Sequence, residues 1–440
     1  MKKILELIRK TGTIRGLQIF QLLRFGGFFL TGILLAKGPV SIEQIGIYES
    51  LMFLSGAFSF FWISGFLNAM LIRFSKEQED HQGTYLFNVA AQIAAFNLLL
   101  ILILFILKNS LTQLLPDAGI QYYNLLLMYI LINNPTFINE YILLLKEKSL
   151  TLVIYGILSF LANIIAVIVP VYLGYGLEVV LVSLLLVSVL KLCFLGYLLT
   201  IFAKVKIESK IWSAQLQFST PLILSLLISG SAEYIDGLLV SSHFGADAFA
   251  IFRYGARELP FSLLMANALS SAMVPRLSQQ SGFSEGIRDL KSEGSKLMHL
   301  LFPLTIILLI SSKWLYPLVF RPEFSQSAVV FNVFLLLIIS RMVFPQSILM
   351  ALGNTAIIFK IAIFEILINI SASYVLMLKF GMLGVAYGTL LAFYSEKALL
   401  IWHLHKKEGI QPGLYTNLKI WLGYSILLLI CWVFVNNFGR

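Results

Sequence analysis

Apolar runs of about 20 residues follow one another along almost the whole chain, and this feature limits the fold more than any motif does. In hydrocarbon every backbone N–H and C=O must find a partner within the protein, so only helices or closed barrels can cross it. A barrel would read as short alternating strands, whereas these runs are long and continuously apolar. The sequence therefore predicts an all-α polytopic membrane protein. Charged residues make up 12% of the chain, against roughly 25% in soluble domains, too few to clothe a water-exposed surface.

Polar breaks divide the runs into 12–13 transmembrane helices, at approximately 14–36, 45–72, 84–107, 122–145, 150–172, 177–202, 216–240, 248–274, 297–320, 328–352, 357–378, 382–404 and 418–435. The basic N-terminal segment is followed by a run with no good small-residue cleavage site, so the run reads as a retained first span. With the N-terminus cytoplasmic, one set of loops carries nearly all the Lys and Arg, including Arg73, Lys76, Lys146, Lys148, Lys204, Lys206, Lys406 and Lys407. The other set holds only Lys37, Lys108, Lys313, Arg321, Lys379 and Arg440. The longest connections, such as 275–296, then fall on the cytoplasmic side. None is large enough for a soluble catalytic domain.

A weak internal repeat predicts two six-helix lobes. Gly46-Ile47-Tyr48 is echoed by Ala250-Ile251-Phe252, Arg73-Phe74-Ser75 by Arg276-Leu277-Ser278, and Gly174-Tyr175-Gly176 by Gly381-Met382-Leu383. An even number of spans separates the copies, so the lobes would be parallel repeats about an axis along the membrane normal. The predicted division is residues 1–205 for the first lobe, 206–410 for the second and 411–440 for an extra C-terminal span. The net charge of +10 comes from basic residues scattered singly in loops, which argues for topology and against nucleic acid. Cys193 and Cys431 lie in apolar runs and form no metal-ligand spacing.

Ionisable residues within spans are expensive and need partners, water or a ligand. The region from Gln215 to Ser278 reads as two spans joined by a turn near Phe244 and Gly245. Asp236 and Arg253 then lie at equal depth, with Glu233 and Arg257 at a deeper level. Asp236 and Arg253 fit a structural salt bridge as well as a functional role. Arg24 continues a polar stripe with Gln18 and Gln21 on the first span, which carries no acid; Arg341 likewise has none on its span. Lys191 has a long apolar neighbourhood. Snorkelling to the nearer surface accounts for Glu49, Glu140 and Lys397. Amides in the spans, among them Asn133, Asn134, Asn163 and Asn369, suit interhelical hydrogen bonds or a sugar-lined cavity.

The first hairpin, from Phe25-Gly26-Gly27 through Gly46-Ile47-Tyr48 to Arg73-Phe74-Ser75, resembles the polysaccharide-export branch of a larger superfamily that includes multidrug and toxin extruders and the lipid II flippase. So do Ser219-Thr220-Pro221, Tyr234-Ile235-Asp236, Phe244-Gly245-Ala246 and Pro275-Arg276-Leu277-Ser278. The resemblance implies a central cavity between the lobes and alternating access. It implies flipping of undecaprenyl-diphosphate-linked oligosaccharides across the bacterial inner membrane for O-antigen, capsule or exopolysaccharide synthesis. The family's cavity arginines would fall on Arg24 and Arg257, with Arg253 beside them. The expected site is therefore Arg24, Arg253, Arg257, Arg341 and Gln21 for the diphosphate-linked substrate. Glu233, Asp236 and Glu365 would balance charge or carry coupling. No metal or organic cofactor is expected, beyond a coupling proton or sodium ion. The expected partners are membrane lipids and, in the same pathway, a polymerase and a chain-length regulator. A multidrug or cation antiporter of the same fold is the alternative, and a membrane polysaccharide polymerase a more distant one.

Overall fold

The computed structural model describes residues 13–74, 76–115, 117–256, 260–278 and 282–438. Its regular elements are helices, and no strand occurs among the described residues. Eleven helices among them are long and apolar enough to cross a membrane. The protein is a multi-pass membrane protein of the all-α class. Its chain forms two compact units, one of Met1–Gly230 with Gly245–Asp247, the other of Ser231–Phe244 with Ala248–Arg440.

The first unit contains α1 (Thr13–Lys37), α2 (Ile42–Phe74), α3 (Glu79–Ile106), α4 (Tyr123–Asn133), α5 (Ile138–Leu145), α6 (Ser149–Tyr172), α7 (Leu177–Phe202) and the first part of α8 (Ser209–Gly255). The expected fourth span is not one rod. Between α4 and α5 the chain tightens into a 3-10 turn, Asn134–Phe137, because Pro135 offers no N–H to an α-helical ladder. Side chains replace the lost pairing. Asn134 donates to Ser59 Oγ and to Asn97 Oδ1, both at 2.9 Å, while Asn97 donates to the Leu131 carbonyl at 2.9 Å. These groups are buried, so the network answers backbone and amide groups that lipid could not.

Polar side chains of α3 also fasten the connection that enters α8. Asn88 donates to the Lys206 carbonyl at 2.7 Å, and its Oδ1 accepts from the Glu208 N–H and the Trp212 indole, both at 2.9 Å. Tyr85 donates to Gln215 at 2.7 Å, and Gln92 to the Trp212 carbonyl at 2.8 Å. The start of the seventh span therefore packs as part of the first unit. The turn expected at Phe244 and Gly245 is present within α8: Gly245 has φ +78°, a conformation a side chain would strain.

The second unit contains α9 (Pro260–Leu277), α10 (Phe283–Val319), α11 (Ser325–Leu335), α12 (Ile338–Arg341), α13 (Pro345–Ala351), α14 (Thr355–Phe380), α15 (Met382–Lys407) and α16 (Leu418–Phe438). The expected connection 275–296 proves to be largely helical. Ile287, Leu290, Leu297, Met298 and Leu301 recur on one buried face and draw α10 out to Phe283. The expected span 328–352 is broken into α11, α12 and α13, with Pro345 opening the last. In the stretch Pro322–Arg341, 78% of the most apolar window is buried, so this interrupted helix runs through the interior of its unit. The C-terminal α16 lies on α10: Tyr424 stacks on Phe302 with centroids 5.2 Å apart and hydrogen-bonds His299 at 2.8 Å.

Candidate functional site

In the first unit the polar centre forms where α1, α5, α6 and α7 meet. Arg24, midway along α1, donates to the Glu140 carboxylate on α5. The Arg24 side chain is 38% exposed and that of Glu140 only 7%. The Phe20 ring lies 5.0 Å from the guanidinium carbon, a cation–π geometry one turn back along α1. Beside Glu140, Asn139 donates to Tyr155 Oη at 3.1 Å and to the Lys191 carbonyl at 3.0 Å. The Lys191 ammonium donates to Asn163 Oδ1 at 3.3 Å. Phe20, Tyr155 and Phe194 stack in sequence beneath these groups.

Glu140 does not snorkel, because a guanidinium waits for it inside the unit. The same correction applies to Glu49, which is 4% exposed, and to Lys397, which pairs with Glu396 at 3.3 Å. Arg24 finds its acid on a neighbouring span. Sequence spacing gave no sign of that partner, since 116 residues separate the two.

In the second unit α8, α14 and α15 converge on Asp236, which is 5% exposed. Thr389 donates to one carboxylate oxygen, and Asn369 to the other at 3.4 Å. Asn369 also donates to Thr389 Oγ1 at 3.2 Å, and its own Oδ1 is buried without a hydrogen-bond partner. Ser373 donates to the Val385 carbonyl at 3.2 Å one turn away. This close approach depends on Gly388, where any Cβ would overlap the Ser373 backbone. Asp236 thus takes neutral hydrogen-bond donors in place of the Arg253 salt bridge that equal depth suggested.

Arg341, at the end of α12, stacks over Phe393 of α15 at 4.6 Å and borders a narrow cleft lined by Ser262, Thr305, Phe334 and Ile338. Glu365 lies on the same face of α14 as Asn369, one turn away, in the field of Glu396, Lys397 and Arg341. Gln21 is exposed on α1, and Arg253 is half-buried near the end of α8. Arg257 and the side chain of Glu233 lie outside the described residues. Within each unit, then, the structure gathers Arg24 with Glu140 and Lys191, and Asp236 with Asn369 and Thr389. Among the described residues no group of three or more His, Cys, Asp or Glu could hold a metal ion.

Comparison with known proteins supplies the family. Residues 40–330 match the family model described as polysaccharide biosynthesis protein. The chain belongs to that family. Among solved structures, this family member is similar to the lipid II flippase MurJ in an inward closed conformation, at 18% identity and TM-score 0.74, covering 96% of this chain and 93% of that one. It is also similar to an inward-facing multidrug resistance MATE family transporter of the MOP superfamily, at 14% identity and TM-score 0.59, covering 91% and 99%. A MOP superfamily transporter from Pyrococcus furiosus matches at 14% identity and TM-score 0.55, covering 90% and 96%. These likenesses establish the flippase and transporter fold. No curated protein matches the sequence.

Proposed function

We propose that this polysaccharide biosynthesis protein carries undecaprenyl-diphosphate-linked oligosaccharide from the cytoplasmic to the outer leaflet of a bacterial inner membrane by alternating access, with its N-terminus cytoplasmic. The observation that carries the reading is Arg24: a partly exposed side chain at mid-span whose guanidinium is steadied by an aromatic ring and a buried glutamate. A sugar diphosphate cannot cross hydrocarbon unaided, because its charges and hydroxyls must be desolvated. A guanidinium fork at membrane depth replaces that hydration with charge-assisted, often bidentate hydrogen bonds. Arg341 supplies a second cation of the same kind, while Arg253, Arg257 and Gln21 extend the set. The family match and the flippase-like fold agree with this substrate class.

Asp236 fits the coupling role better than that of a counter-ion for arginine. Its carboxylate, the hydroxyls of Thr389 and Ser373 and the unpartnered Asn369 Oδ1 are all hard oxygen ligands gathered in one buried place. Such a set suits a proton or a small hard cation such as sodium. Glu365 balances the cations around it.

The test is complementation in a strain lacking its own O-unit flippase. Arg24→Ala and Arg341→Ala should abolish surface polysaccharide while the protein still reaches the membrane, and Asp236→Asn should remove the dependence of transport on the ion gradient. Full export by both arginine variants would overturn the diphosphate reading. Ion-driven export of cationic dyes, undiminished in Arg24→Ala, would favour the antiporter instead.

A further inference from the structure

Arg24 and Glu140 are bound to each other in unequal surroundings. The Arg24 side chain is more than a third exposed, whereas that of Glu140 is almost wholly enclosed. Among the described residues Arg24 is the hydrogen-bond partner of that carboxylate. The other groups packed around α5 are already engaged. From α6, Tyr155 accepts from Asn139; from α7, the Lys191 ammonium is turned to Asn163. On α2 the facing side chains are Trp62, Ile63 and Phe66, apolar members of the core that also holds Ile138 and Ile142. The turn before α5 brings Asn134 and Thr136, which are neutral. Tyr141, next on α5 itself, is the remaining titratable neighbour.

A diphosphate that reaches Arg24 competes with Glu140 for the same N–H donors. When the guanidinium turns to the phosphate, Glu140 is left as an enclosed carboxylate without a counter-charge, a state that low dielectric does not tolerate. The neutral acid is the form that such a pocket accepts. We infer that Glu140 is a proton-exchange site coupled to substrate binding: as the diphosphate takes Arg24, a carboxylate oxygen of Glu140 takes one proton from water, and substrate release returns Arg24 to Glu140 and expels the proton. This inference rests on the reading of Arg24 as a diphosphate ligand. Because linkage is reciprocal, proton uptake makes substrate affinity depend on pH. Where one proton enters per ligand, affinity falls about tenfold for each unit rise in pH.

The experiment uses the full chain in nanodiscs and undecaprenyl diphosphate without sugar as the probe, between pH 7 and 8.5, above the second phosphate ionisation at about 6. Binding is followed by tryptophan fluorescence, and proton uptake by an indicator dye in weak buffer. The wild type should take up close to one proton per bound lipid and bind about tenfold more weakly at pH 8 than at pH 7. Glu140→Gln should bind at least as tightly as the wild type at pH 8, with no proton uptake and a flat pH profile. Wild-type binding without proton uptake overturns the inference, because Lys191 would then have moved in to replace Arg24. Loss of binding in Glu140→Gln also overturns it, leaving Glu140 as a mere support for Arg24. Arg24→Ala separates the two readings: retained binding removes the role of Arg24 itself, whereas lost binding beside a wild type that takes up no proton removes only the role of Glu140. The proton count on the wild type needs no variant to fold.

Discussion

The unequal exposure of Arg24 and Glu140 sets the sign of a double-mutant cycle. Arg24→Gln strands a carboxylate that is 7% exposed, and removing one partner of a buried pair costs about 3–5 kcal/mol. Glu140→Gln leaves Arg24, whose side chain is 38% exposed, with its guanidinium 5.0 Å from the Phe20 ring and a neutral amide oxygen still able to accept from it, so the loss should be about 1 kcal/mol. The double variant strands neither charge, so it should be more stable than Arg24→Gln alone, with a coupling of about 2 kcal/mol. Titration of the purified protein from mixed micelles into SDS at pH 8 reads these differences. At pH 5 the Arg24→Gln deficit should shrink, because a proton on Glu140 then replaces the missing charge and the folded state binds more protons than the unfolded one. Equal losses in the two single variants, or a double variant that loses their sum, would refute the claim that enclosure of the carboxylate decides the balance.

Two further variants test the packing that positions these groups. Gly388→Ala should lower stability by about 1–3 kcal/mol in the same titration, since the added carbon overlaps Ser373 and pries α14 from α15; Gly196→Ala on α7, where a Cβ meets nothing within 4 Å, should instead raise it by about 0.5–1 kcal/mol. Asn134→Ala should cost about 1–3 kcal/mol, because the buried Oδ1 of Asn97 loses its donor, and faster backbone hydrogen exchange at the α4–α5 break would locate the loss.

The all-α membrane fold was legible because it follows from a condition that every residue of a span must satisfy, namely an apolar side chain over a self-paired backbone. The turn at Gly245 was legible for a similar reason, as two apolar runs met at a residue able to take φ +78°. Interruptions inside spans were not. Pro135 and Pro345 signal a lost N–H, but whether the helix kinks or unwinds depends on distant amides such as Asn97 that can take over the pairing. Site partners were hidden for the same physical reason. Depth can be read along one helix, so Asp236 and Arg253 stood out as equals. The direction in which each side chain points is set by neighbouring helices, and there Asp236 met Thr389 and Arg24 met Glu140.

One signal in the sequence does reach the groups around these partners. The same spacing separates Asn163 from Asn369 and Lys191 from Lys397, and each unit interrupts its fourth span at nearly that register, at Asn134–Phe137 and between Arg341 and Pro345. The two units thus reuse one scaffold with different contents. In the first, the asparagine accepts from the lysine ammonium, a cation fixed to the chain. In the second, the corresponding lysine turns to Glu396, and the asparagine faces the carboxylate of Asp236 instead. A tethered ammonium cannot leave, so the first unit keeps its positive charge beside Arg24, where the proposed diphosphate substrate would need it. A carboxylate among hydroxyls and an amide can gain and lose a proton or a small cation without any substrate, which suits the second unit to the proposed exchange with the ion gradient, whereas proton exchange at Glu140 follows the substrate. Exchanging the pair, with Lys191→Met in one unit or Asp236→Leu in the other, should therefore give distinct defects. The first variant should weaken binding of undecaprenyl diphosphate at every ion concentration, whereas the second should leave binding intact and make transport indifferent to the gradient. The same defect from both would mean that the repeated scaffold carries one function in two copies.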